Sequence, residues 1–289
     1  LIFCKFTLLE PYKQLYYNIL IYRTPLYNFY GFVCDGVYKD LEDLQTSPKP
    51  AKYPANGVFD RTNTVWVGDV KYKDISGPDG VPDGVIDDYD KTNIGSPMPK
   101  FTFGWTNTFR YKNFDLSVFI NGSYGNKVYN YLSMKLTHMN SPWTNQLNAV
   151  NGRAQLVPIN PNKVYEDGTM WYNDVSNVMV ANPGASIPRA TINDPNDNDR
   201  ISDRYIEDGS YIRLKNISLG YTFPKKTIDK LGLSNLRIYA NIQNLLTITG
   251  YDGYDPEIGA STSSVNVYGL DNGRYPSPTV YSFGLNVSF

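Results

Sequence analysis

The chain has one histidine, His138, and two cysteines, Cys4 and Cys34. A single imidazole argues against a histidine-built metal site and against Ser–His catalysis. Two cysteines are too few for a disulfide framework. Neither sign of charge is in excess: 27 basic and 28 acidic residues leave a net charge of −1. That balance points neither to nucleic acid nor to an acidic disordered tail. Long hydrophobic runs are missing as well. The most apolar early stretch, Leu15 to Val33, is interrupted by Asn18, Arg23 and Pro25, so no transmembrane helix is expected there. The chain shows no secretory signal peptide and opens on Leu1 instead of methionine.

Aromatic residues are abundant. Tyrosine occurs 25 times and aromatics make up 15% of the chain, while mean hydropathy is only −0.40. High tyrosine diluted by small polar residues suits a sheet with lipid on one face and water on the other. A secreted β-sandwich shares this composition, so patterning has to separate the two. In the last eleven residues, Tyr281, Phe283, Leu285, Val287 and Phe289 alternate with Ser282, Gly284, Asn286 and Ser288. This period of two defines a strand of about the length, roughly 9–11 residues, that crosses a bilayer at a tilt. A sandwich strand in water usually carries charge on its outer face, and here the polar row is small and uncharged.

A hairpin is legible upstream. Phe101, Phe103, Trp105, Phe109 and Tyr111 alternate with Thr102, Gly104, Thr106, Thr108 and Arg110. Phe114, Leu116, Val118, Ile120 and Tyr124 then alternate with Asp115, Ser117, Asn121 and Ser123. A two-residue turn at Lys112-Asn113 predicts that Tyr111 pairs with Phe114, which sets Arg110 opposite Asp115 as an ion pair. Asn107 and Gly122 depart from the apolar row. Two further strands run from Asn216 to Phe223 and from Leu236 to Gln243, joined by the short, lysine-bearing link Pro224 to Asn235. Long and short connections therefore alternate strictly along the chain. Outer-membrane barrels have short periplasmic turns and long extracellular loops, and a sandwich has no reason to follow that rule. The expected fold is all-β, an antiparallel transmembrane β-barrel with long extracellular loops. Five strands are too few and odd in number, so the barrel is expected to be incomplete, and the chain mature, truncated or incomplete.

Several stretches resemble the SusC/RagA family of TonB-dependent outer-membrane transporters. They include Gly31-Phe-Val-Cys-Asp-Gly-Val-Tyr38, Gly68-Asp-Val-Lys-Tyr-Lys-Asp74, Asp83-Gly-Val-Ile-Asp-Asp-Tyr-Asp90 and Ile94-Gly-Ser-Pro-Met-Pro-Lys-Phe101. The run from Arg200 to Tyr221, the strand Leu236 to Leu245 and the terminal strand to Phe289 follow in family order. The resemblance covers residues 26–289 as the C-terminal segment of a presumed 22-stranded barrel, and leaves residues 1–25 as an atypical, unassigned start. It implies import of oligosaccharides or peptides across the outer membrane of a Gram-negative, Bacteroidota-like cell. It also implies a SusD-like surface lipoprotein over the barrel mouth and TonB acting through a part of the transporter outside this chain. The alternative is a secreted all-β carbohydrate-binding or adhesive module. No enzyme is expected.

Candidate sites are few. Asp79, Asp83, Asp87 and Asp90 follow the spacing of a twelve-residue calcium loop, with Gly84 at the sharp turn. Val81 breaks that pattern, and Asp90 stands where a bidentate glutamate is usual. The alternative is an Asp/Gly turn in a solvated loop. Arg200, Asp203, Arg204, Glu207, Asp208 and Arg213 form a mixed-charge run expected at the barrel rim. Glu207 and Asp208 are adjacent on a strand and point to opposite faces, so they make no glycosidase pair. Trp143 and Trp171 are candidates for stacking on sugars, or for loop packing. Phe289 is expected to serve as the barrel assembly signal.

Overall fold

The computed structural model describes residues 18–19, 27–50, 58–257 and 268–289. The atypical start assigned to residues 1–25, with Cys4, lies outside the described residues except for the two-residue strand Asn18–Ile19.

Five long strands form one antiparallel sheet: β1 (Phe101–Tyr111), β2 (Phe114–Tyr124), β3 (Tyr211–Thr222), β4 (Asn235–Thr249) and β5 (Val280–Ser288). Their spatial order is β5-β4-β3-β2-β1, so each strand lies beside its neighbour in sequence. The hairpin register is the expected one, with Tyr111 against Phe114 and Phe101 against Tyr124. Lys112 takes the left-handed conformation at φ 52°, as a tight two-residue hairpin turn requires. Gly122, the irregularity in the apolar row, pairs with Phe103, and any side chain there would collide with that ring. Nothing in the structure explains Asn107.

Alternation breaks once, at a bulge. Leu214 pairs with Ile120 and Leu246, but Asn216 pairs with Phe119 and Gln243. Lys215 is thus an extra residue against β2, while β4 sets two residues, Asn244 and Leu245, against it. Asn244 sits at φ 52°, a conformation that asparagine tolerates better than most residues. The bulge places Leu214 and Ile217, three apart in sequence, on one face. It turns Arg213 and Lys215 to the other.

The long connections pack into a second layer at one end of the sheet. Lys127–Asn130 pairs with Ile206–Asp208 on one side and Leu270–Asp271 on the other, joining the β2–β3 and β4–β5 connections. The segment before β1 joins them through the Phe32–Ser202 bridge and the hydrogen bond from Cys34 N–H to the Asp203 carboxylate at 2.8 Å. Every hydrophobic cluster among the described residues belongs to this layer. The largest gathers Tyr38, Leu44, Trp66, Val67, Val178 and Val180. A second centres on Phe29, Tyr129, Met134 and Tyr205, and a third on Phe32, Val70, Tyr72 and Ile86. The five-stranded sheet contributes to none of them, so its apolar face has no protein packed against it.

Candidate functional site

The uncovered face defines the first functional surface. Trp105 is 52% exposed and Phe283 84%, and the other residues of their rows are similarly open. Aromatic rings gather at both ends. Phe101 and Tyr124 stand 5.4 Å apart where the long connections leave the sheet. At the other end, Phe114 lies 4.7 Å from Tyr221, which lies 5.0 Å from Phe223. Ten steps of about 3.4 Å separate the Phe101 and Tyr111 levels, roughly 34 Å along the strand. At a tilt of about 40° this projects to roughly 26 Å, close to the ~25 Å apolar band between aromatic girdles in outer-membrane barrels. Such a face is costly in water and favourable in hydrocarbon.

The opposite face is polar and shaped by glycine. Gly284 lies under the Tyr239 ring, and Gly220 lies under the crossing of Arg237 to Asp115, so a side chain at either would collide with what covers it. The Arg237 guanidinium meets the Asp115 carboxylate at 2.6 Å. This corrects the expected pairing. Arg110 is the register neighbour of Asp115, but Arg237, two strands away from Asp115, makes the contact because Gly220 leaves the path between them open.

At the mouth, Arg213 is 3% exposed at its side chain and holds the β4–β5 connection against the sheet. It donates to Asp255 at 2.5 Å, to Glu257 at 2.7 Å and to the Thr247 hydroxyl at 2.8 Å. Lys215 reaches the same Glu257 oxygen at 2.8 Å. Burial pushes the Asp255 carboxyl up, but Arg213 and the N–H groups of Ser277 and Glu257 outweigh it and hold the group below the usual carboxylate range. Beside this cluster, a cleft of about 480 Å³ opens between the polar end of the sheet and the loop layer, with Thr102, Ser123 and Tyr211 as its floor.

The four carboxylates with calcium-loop spacing are not drawn to one point. Among the described residues, no three of them bring ligand atoms within 4.8 Å of one another. Asp90 is fully buried and accepts from Ile75 and Ser76 N–H through one oxygen and from Asp87 N–H through the other. Asp87 caps the short turn at Tyr89, Asp83 accepts from Val85 N–H, and Asp79 lies in an exposed turn. Asp90, the expected closing ligand, could turn to a cation only by leaving three amides unpaired.

The mixed-charge run does not pair internally. Arg200 lies over the rings of Phe32 and Tyr72, and Arg204 over Tyr205. Glu207 accepts from Asn130, while Asp208 accepts from Ser210. Trp171 packs at the edge of the largest core, edge-on to Tyr172 at 5.6 Å, and Trp143 is 92% exposed.

Two polar clusters were missed in the sequence. Asp69, with no exposed surface, takes Arg189 Nε at 2.7 Å, Trp66 N–H at 2.8 Å and Asn198 Nδ2 at 3.2 Å. His138 lies between two carboxylates, with Nε2 2.6 Å from Asp194 and Nδ1 3.2 Å from Asp199. Burial alone would lower its pKa, but the two hydrogen bonds outweigh it and raise the value to about 9. Both ring nitrogens then donate, so the ring is a cationic cross-link and has no lone pair for a metal. The only sequence signal was a lone histidine and the acidic run from Asp194 to Asp199, with nothing to connect them.

A sheet with one lipid-compatible face, one polar face, a membrane-matched span and packed loops at one end is the wall of an outer-membrane β-barrel. No protein-family model matches the chain. It is 32% identical over 267 residues to TonB-dependent receptor P3 of Formosa agariphila, covering 91% of this chain and 22% of that protein. It is 26% identical over 285 residues to TonB-dependent receptor SusC of Bacteroides thetaiotaomicron, covering 96% of this chain and 24% of that one. Among solved structures, the RagAB peptide importer in its open-open state superposes with a TM-score of 0.55 at 19% identity, over 91% of this chain and 22% of that chain. The chain belongs to the SusC/RagA-like TonB-dependent transporters, and it spans about a fifth to a quarter of the length of the curated relatives it matches.

Proposed function

We propose that this chain forms part of the wall and the extracellular mouth of an outer-membrane importer of oligosaccharides or peptides. In this reading its five strands belong to a 22-stranded barrel, a SusD-like lipoprotein closes over the packed loop layer, and TonB supplies the work of opening through another part of the transporter. The observation that carries the reading is the separation of the two layers. The sheet leaves its apolar face uncovered, whereas the loops enclose all the hydrophobic clusters among the described residues. A secreted module would leave that face in water, where contiguous apolar patches larger than a few hundred Å² are rare.

The test uses the full-length transporter in its own cells. It should fractionate with the outer membrane, require detergent for extraction, co-purify with a surface lipoprotein, and lose substrate uptake when TonB is deleted. Recovery from the culture medium without detergent would favour the secreted module. Uptake that persists without TonB would overturn the coupling.

A further inference from the structure

The cleft at the mouth is unequal in charge. Three cations line it, Lys127, Lys215 and Arg274, against one carboxylate, Glu257. That carboxylate is already engaged: one oxygen accepts from Arg213 at 2.7 Å and from Lys215 at 2.8 Å. Asp208 is the register neighbour of Lys127. Bonds from the Ser210 hydroxyl at 2.6 Å and the Ser210 N–H at 3.0 Å, joined by the charge of Lys127, hold its carboxyl below the usual carboxylate range, yet the two side chains form no direct bridge. Among the described residues, neither Lys127 nor Arg274 makes an ion pair. The floor adds hydroxyl groups from Thr102 and Tyr211, while that of Ser123 is already given to the Asn126 side-chain oxygen at 2.8 Å. A volume of about 480 Å³ lies within the roughly 300–1,000 Å³ of small-molecule sites.

We infer that this cleft is a subsite for a carboxylate carried by the imported oligomer, with Lys127 and Arg274 as its recognition groups. The inference rests on the import reading above and adds the charge of the substrate to it. A guanidinium and an ammonium on different elements can bind a carboxylate from two sides, with hydroxyls beneath it to take the remaining lone pairs. Lys215 is held by Glu257 and is not counted among these groups. A peptide C-terminus and a uronic acid present the same group.

Binding to the purified full-length transporter, measured by calorimetry, tests the subsite separately from uptake. The probes are a short peptide with a free C-terminal carboxylate against its amide, and a uronate tetrasaccharide against its neutral counterpart. The wild type should prefer at least one carboxylated probe, and the preference should fall with added salt. The Lys127→Gln/Arg274→Gln double variant should weaken that probe about tenfold or more and leave the uncharged partner unchanged, since charge-assisted hydrogen bonds are being removed. Arg274→Lys should restore part of the loss. Equal wild-type binding of charged and uncharged probes, or equal weakening of both in the variant, would overturn the subsite. Charge-selective binding without uptake of either class would uphold the subsite and overturn the import reading instead.

Discussion

Replacing Asp69 with asparagine should loosen the loop layer while leaving the membrane sheet intact. The carboxylate is fully buried and accepts four hydrogen bonds, two of them from Arg189 at 2.7 and 3.1 Å. Arg189 is itself 3% exposed at its side chain, so it has no route to solvent. Asparagine keeps the volume but removes the charge, and its NH2 half, which can only donate, must face guanidinium, amide or backbone donors on one side. Breaking a buried pair by losing one partner costs about 3–5 kcal/mol. None of the groups bonded to Asp69 belongs to β1–β5, so the cost should appear as local opening and not as loss of the barrel. Amide hydrogen exchange on the full-length protein reads it directly. At 1.4 kcal/mol per factor of ten, exchange at Trp66 and Val70 should accelerate by roughly two to three and a half orders of magnitude. Adding Arg189→Met should recover much of the loss, because no stranded charge remains. Exchange within about threefold of wild type in the single variant, or no recovery in the double, would refute the reasoning.

Trp105→Lys, on the apolar face, should cost about 2–4 kcal/mol in refolding of the full-length barrel into lipid, while Thr106→Lys on the polar face is tolerated; equal costs would contradict the assignment of faces. The His138 cross-link should titrate at high pH. Its folded pKa of about 9 exceeds the ordinary 6.5, so its stabilising contribution is complete below 6.5 and is lost as pH rises through 9. Protease resistance of the loop layer should therefore fall between these values in the wild type, and the step should vanish in His138→Gln. Phe289, 92% exposed at the end of β5, is proposed as a signal for barrel assembly. Phe289→Asp in the full-length protein should lower the amount assembled, scored by heat-modifiable gel mobility, and unchanged mobility would argue against that role.

Sequence alone determined the sheet. Each long strand lies between lipid and water, so its side chains must alternate, and alternation is visible within ten residues. Tyr111, Lys112, Asn113 and Phe114 were enough to set the hairpin register, because a two-residue turn admits one pairing. The bulge was hidden, since Leu214 and Ile217 share a face only when two neighbouring strands are in place to absorb Lys215. The partner of Asp115 was hidden for a related reason. Gly220, on a strand some hundred residues later, decides that Arg237 can cross to it. The mouth was decided almost wholly by tertiary structure. Asp69 and Arg189 are 120 residues apart, and no local period links residues that meet only after the segment before β1 has packed on the β2–β3 connection. The Asp79–Asp90 segment shows the limit most clearly. Its spacing suits a cation as well as a turn, and only the folded backbone, by aiming three N–H groups at Asp90, shows where those oxygens are directed.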